Sequence, residues 1–272
     1  MARAIHDLLP FEDILYVGDT ARVPYGGRSA ETVVGYAKEV CRYLNYRRVK
    51  CIVVACNTAS AVALEAIRQI CSVPVIGVIE PGAGAAAREA DGGAVCVMAT
   101  RATIASGAYE RAIHAIDAGI HVVSKATPLL VPLIEEDWID EDVTMQVLKK
   151  YLDTAAVMDC RVVLLGCTHY PLIRHRIEAV ATARIVDSAN STARMLRDTL
   201  EQRSLDGQEK QQGRLEIVLT DDQRSFLDIA RKRLHLEPFA LQVVALDSMH
   251  ELVHGSSPAA SSFAEATEDT SV

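Results

Sequence analysis

Little in this chain suits a phosphate backbone or a lipid bilayer. Positive charge is in deficit, with 28 Lys and Arg against 36 Asp and Glu and a net charge of −8. A nucleic acid calls for a basic face, so none is expected as a partner. No apolar run approaches the roughly 20 residues of a membrane span, and no membrane association is expected. The start, Met1-Ala2-Arg3-Ala4-Ile5-His6-Asp7, lacks the apolar core of a secretory signal. Aromatic residues are scarce, at 5% with a single tryptophan. Recognised nucleotide and hydrolase signatures are missing too: there is no Walker loop, no G-x-G-x-x-G and no G-x-S-x-G. No lysine stands in a context that demands a Schiff base with pyridoxal phosphate. Closely spaced metal ligands are absent as well. Cys51-x4-Cys56 and Cys167-x-His169 do not make a structural zinc pattern. These spacings predict no metal site, and the residues alone leave a lysine-bound cofactor open.

Cysteine is present, but seven is an odd number, and most sit inside apolar runs. Without a secretory signal that predicts free thiols in a reducing, cytoplasmic setting. Hydrophobic residues make up 50% of the 272 residues, enough for a sizeable core in one or two domains.

Two stretches stand out as copies of one pattern. Val53-Val54-Ala55-Cys56-Asn57-Thr58-Ala59-Ser60 and Leu164-Leu165-Gly166-Cys167-Thr168-His169-Tyr170-Pro171 each run from an apolar strand, through a small residue, to a cysteine and a threonine-containing polar pair. Each is followed by helical spacing. Around them apolar strands alternate with helices. Strands are predicted at 13–18, 50–55, 74–79, 94–99, 121–125, 161–165, 184–186, 215–219 and 241–246. Helices are predicted at 2–9, from Ser29 to Leu44, and at 59–70, 83–89, 103–115, 142–158, 172–180, 191–203 and 221–235, with a polar loop at 207–213. Such alternation predicts an α/β fold with mainly parallel sheets flanked by helices. The pattern restarts near Glu80, which suggests two pseudo-symmetric domains with the active site in the cleft between them. The first would comprise 1–79 plus 189–253, and the second 80–188. Residues 254–272, rich in Ser, Ala, Thr and Glu, are expected to form a disordered tail.

Both cysteines fall at the carboxyl end of a strand, where ligands bind in open parallel sheets, and just before a helix. Helix N–H groups there can lower a thiol's pKa or hold a carboxylate. Asn57 or Thr58 is expected to cap the first helix and Thr168 the second, with Pro171 in its first turn. His169, two positions after Cys167, can exchange protons with it. Cys41, Cys51, Cys71, Cys96 and Cys160 read as plain core thiols. A Cys-His-Asn hydrolase with Cys167 or Cys56 as nucleophile is one alternative, but it leaves the matched pair unexplained. Two facing thiols suit another reaction: one takes a proton from a carbon while the other returns one to the opposite face, inverting the centre.

Three motifs carry a family resemblance: Gly18-Asp19-Thr20-Ala21-Arg22-Val23-Pro24-Tyr25-Gly26, Ala55-Cys56-Asn57-Thr58-Ala59-Ser60-Ala61 and Gly166-Cys167-Thr168-His169-Tyr170-Pro171-Leu172. With Pro74–Pro81, Thr100-x-x-Thr103-x-x-Ser106-x-x-Tyr109 and Pro128–Glu135, they resemble the glutamate racemases of the Asp/Glu racemase family over roughly residues 2–250. The resemblance implies cofactor-independent interconversion of L- and D-glutamate, supplying D-glutamate for peptidoglycan. It implies Cys56 and Cys167 as the two catalytic bases, with His169 and Glu135 assisting. Tyr25, Gly26, Asn57, Thr58, Thr100, Thr168 and His169 are implied to bind substrate, and homodimers are common in the family. Alternatives are a racemase of another acid such as aspartate, or a weakly active or non-catalytic binding homologue. The family begins with a strand and an Asp-Ser-Gly turn, whereas this sequence starts inside the helix that follows. The missing piece is expected to be encoded upstream.

Overall fold

The computed structural model describes residues 1–205, 212–222 and 239–254. In chain order the elements are α1 (Ala2–Leu8), β1 (Ile14–Gly18), α2 (Ala30–Tyr46), β2 (Ile52–Val54), α3 (Asn57–Val62), α4 (Leu64–Arg68), β3 (Val75–Gly77), α5 (Ile79–Ala90), β4 (Val95–Ala99), α6 (Arg101–Ala105) and α7 (Ala108–His114). There follow β5 (Val122–Ala126), α8 (Leu130–Glu135), α9 (Asp142–Leu152), α10 (Ala155–Met158), β6 (Val162–Gly166), α11 (Arg174–Glu178), β7 (Arg184–Asp187), α12 (Ala189–Gln202), β8 (Leu215–Leu219), β9 (Ala240–Val243) and α13 (Leu246–His254). Every strand pairing among the described residues is parallel, and helices flank the sheets.

The sheet ordered β5-β4-β6-β7 follows from its sequence. All of β4 and β6 is buried, as continuous apolar runs must be when helices cover both faces. Alternate residues serve the two layers. Cys96, Met98, Val163 and Leu165 join the α8, α9 and α11 side chains. Val95, Val97, Ala99, Val162 and Leu164 join Ala83, Ala86 and Ala90 of α5 and Tyr109 and Ile113 of α7. Each fully buried Leu or Ile contributes about 2 kcal/mol.

The strands expected to make one sheet in the first half form two: β2-β3 and β1-β8-β9. Apolar side chains join the two sheets. Ile14, Cys51, Val53 and Ile76 pack with Ile5 of α1 and with Ala193, Leu196 and Leu200 of α12. Helix α2 spans both sheets, with Val33, Ala37 and Cys41 against the β2-β3 layer and Tyr43 against Val218 and Met249. Ser29 caps it, its Oγ accepting from the Thr32 N–H at 3.2 Å.

Some expected boundaries move. Helix α5 starts at Ile79, not Ala83, because Pro81 falls in its first turn, where a missing N–H is harmless. The expected 103–115 helix is two pieces. Ser106 Oγ donates to Thr103 O at 2.6 Å and accepts from Ala108 N at 3.2 Å, and Gly107 takes a left-handed φ of 63°. The 59–70 segment likewise breaks at Ala63, and 142–158 breaks after Leu152. Helix α8 was not anticipated, and neither was α13, which takes in His254 from the expected tail. Most of the expected 221–235 helix and 207–213 loop, and the tail from 255, lie outside the described residues.

Candidate active site

Cys56 ends the β2 segment and is itself the N-cap of α3, its Sγ accepting from the Ala59 N–H at 3.5 Å. Asn57 and Thr58, expected as caps, are instead the first two residues of the helix. Thr58 is thereby free to reach across the cleft. Its Oγ1 lies 3.0 Å from Thr100 Oγ1 and 3.2 Å from Thr103 Oγ1. Thr100 also caps α6, accepting from the Thr103 N–H at 3.3 Å. Gly26 presses on the same threonine: a Cβ at that position would lie 2.7 Å from Thr100 Cβ, so only glycine fits. The Tyr25-Gly26 turn is anchored through Asp19, a buried carboxylate that accepts from the Tyr25 hydroxyl, from Arg22 Nε at 2.8 Å and from Thr220 Oγ1 at 3.1 Å.

Cys167 follows β6, the central strand of the other sheet. Its Sγ lies 3.8 Å from His169 Nδ1, and His169 Nε2 lies 3.3 Å from Glu135 Oε1 at the end of α8. Burial opposes charge on this imidazole, but Cys167 and Glu135 outweigh it and push the His169 pKa up to about 10. Thr168 does not cap a helix. It is exposed, with Oγ1 3.4 Å from His169 Nδ1, and His169 caps a 3-10 turn, Tyr170–Ile173, that carries Pro171 at its start.

The two groups meet. Cys56 and Cys167 lie within electrostatic reach, and charge on Cys167 disfavours charge on Cys56. The expectation that a helix N-terminus would lower the thiol fails at Cys56. Burial pushes it up, and the N–H groups of Ala59 and Thr58 recover only part of the shift. Tyr16 and Tyr25 also feel the Cys56 charge, and both are pushed up chiefly by burial, Tyr16 to about 12.

Every residue singled out in the sequence therefore falls in one of these two groups. Outside them, burial raises Cys41 to about 12 and Cys51 to about 11, as suits core thiols. Sequence reasoning assigned no role to Asp19 or Tyr109, although both stand in the quoted motifs. Tyr109 donates its hydroxyl proton to Asn57 Oδ1 at 2.5 Å. A cavity of about 370 Å³ along β3 and α12, lined by Arg68, Glu80 and Arg203 among others, contains none of the site residues. Chemistry rather than the size of a hollow locates the site. Among the described residues there is no group of three His, Cys, Asp or Glu side chains arranged for a metal ion. No described helix is long and apolar enough to cross a membrane.

Two thiols at matched strand ends, one backed by a His–carboxylate pair, bring together groups that can hold and move protons. Comparison with known proteins gives the family. The family described as Asp/Glu/Hydantoin racemase matches residues 1–196. The glutamate racemase of Geobacter metallireducens is 44% identical over 228 residues, 83% of this chain and 84% of that protein. The glutamate racemase of Koribacter versatilis is 49% identical over 71% of this chain and 68% of its own length. Among solved structures, glutamate racemase from Francisella tularensis in complex with D-glutamate superposes with a TM-score of 0.85 at 33% identity, covering 91% of this chain and 93% of that one. The chain belongs to the Asp/Glu/hydantoin racemase family, whose members are isomerases.

Proposed function

We propose that the chain is a glutamate racemase that interconverts L- and D-glutamate by two-thiol proton transfer without a cofactor. Three things support the reading: the mutual reach of Cys56 and Cys167, the glutamate racemases among its relatives, and a similar structure that holds D-glutamate. The first of these carries the mechanism. In one direction a thiolate at one cysteine removes the Cα proton of glutamate. The electron pair left on Cα delocalises into the adjacent carboxylate. The thiol of the other cysteine then donates its proton to the opposite face. The inverted amino acid leaves, and thiol and thiolate have exchanged places, so the reverse direction uses the same groups.

His169, held protonated by Glu135, carries a proton that it can pass to Cys167 Sγ. Gly26, Asn57, Thr58, Thr100 and Thr168, with the Tyr25 backbone, provide donors for the substrate's carboxylates. In this reading residues 1–79 plus 189–253 form one domain and 80–188 the other, with glutamate between them. Its physiological place is the cytoplasm, and its product is D-glutamate for peptidoglycan. The test is optical activity. L-glutamate incubated with the chain alone should lose its circular dichroism, and in D2O the product should carry deuterium at Cα. Racemisation of aspartate in preference to glutamate would replace the substrate while keeping the mechanism.

A further inference from the structure

One buried side chain touches the neighbours of both cysteines. Tyr109, on α7, is 3% exposed and lies between the two strand ends. Its hydroxyl donates to Oδ1 of Asn57, the residue after Cys56, at 2.5 Å. Its ring lies against Gly166, the residue before Cys167, where a Cβ would come within 3.0 Å of Tyr109 Cε2. On the remaining side it meets Gly82 of α5, where a Cβ would lie 3.2 Å from the hydroxyl oxygen and 3.1 Å from Ser188 Cβ. Ser188 packs on the same side of Gly82.

These contacts fix directions. The Tyr109 hydroxyl proton points to Asn57 Oδ1. The amide is then locked with Nδ2 on the other side. Asn57 is only 4% exposed, and with Oδ1 held by Tyr109 its two N–H donors lie on the opposite side of the amide. A carboxylate is an acceptor only, so this orientation of the amide suits it and the flipped one repels it.

We propose that Tyr109 is a positioning residue that locks the Asn57 amide with its N–H donors toward the substrate carboxylate. This rests on the reading of the site as one for an acidic amino acid. Tyr109→Phe keeps the ring against Gly82 and Gly166 and removes only the proton. KM for both glutamate enantiomers should rise about tenfold with kcat changed less than about threefold, while the melting temperature falls only about 3 °C. In an Asn57→Ala background, Tyr109→Phe should leave KM unchanged, because the group it positions is gone.

An equal KM rise in both backgrounds, or a loss of kcat at constant KM, would overturn the proposal. A second readout is independent of the substrate. The Asn57 side-chain amide should give one sharp pair of proton resonances in the wild-type chain and a broadened or doubled pair in Tyr109→Phe. An unchanged pair would also overturn the proposal, even if the chain proved to racemise another acid.

Discussion

At the scale of single residues the site is set by where protons are held. His169 lies between Cys167 and Glu135, and its pKa rises from 6.5 to about 10. A raised value means that the folded chain binds this proton more tightly than the unfolded one. The associated stability is complete below pH 6.5 and is lost as pH rises through about 10. The basic limb of kcat/KM is expected near pH 10, where the imidazolium discharges. Glu135→Gln removes one of its two partners and should move that limb toward neutrality by about one unit, in a pH–rate profile with either enantiomer. An unmoved limb would show that Glu135 does not hold the proton. Cys56, Cys167 and His169 were legible as candidates from their places at strand ends before helices, whereas Tyr25, Gly26, Thr100 and Glu135 came from the family resemblance. The orientation of Asn57 was not legible, since the group that sets it lies 52 residues away. Nor was the raised pKa of Cys56: the capping pattern is local, whereas the burial that overrides it comes from the whole fold.

Elements bring these residues together, and small groups at their junctions do the fitting. Ser60 of α3 donates to Val54 O at 2.6 Å and accepts from Val78 N at 3.2 Å, tying the β2 end to the start of α5. Ser60→Ala leaves two buried backbone groups without partners and should cost about 1–3 kcal/mol, read by denaturant titration. Gly166→Ala should cost a similar amount. Its Cβ would meet Ala99 Cβ and Met98 O, both at 3.0 Å, in a strand with no room to shift. Gly26→Ala should spare stability but lower kcat/KM about 10- to 100-fold, because the Tyr25-Gly26 turn must move away from Thr100. Wild-type kinetics in that variant would show that the turn is not a wall of the site. The order of elements was readable from apolar periodicity, as the near match of β8 and α2 to their expected ranges illustrates. The breaks in helices were not. Ala63 and Ser106 carry no periodicity signal, and side-chain competition for the backbone decides at Ser106.

The molecule as a whole is two sets of parallel strands that present one cysteine each. That β4 and β6 are interior strands covered on both faces was foreseeable from their apolar runs. The separation of β1-β8-β9 from β2-β3 was not foreseeable from periodicity, which says which residues are buried but not which strands pair. The account stands on the two thiols acting on one carbon from opposite faces. Single-turnover experiments in D2O test that most directly, with each enantiomer in turn and with Cys56→Ala and Cys167→Ala beside the full wild-type chain. The wild type should incorporate solvent deuterium at Cα while inverting it. Each variant should lose racemisation by about 10²- to 10⁴-fold. Either variant racemising at the wild-type rate, or a wild type that inverts glutamate without solvent deuterium at Cα, would contradict the account.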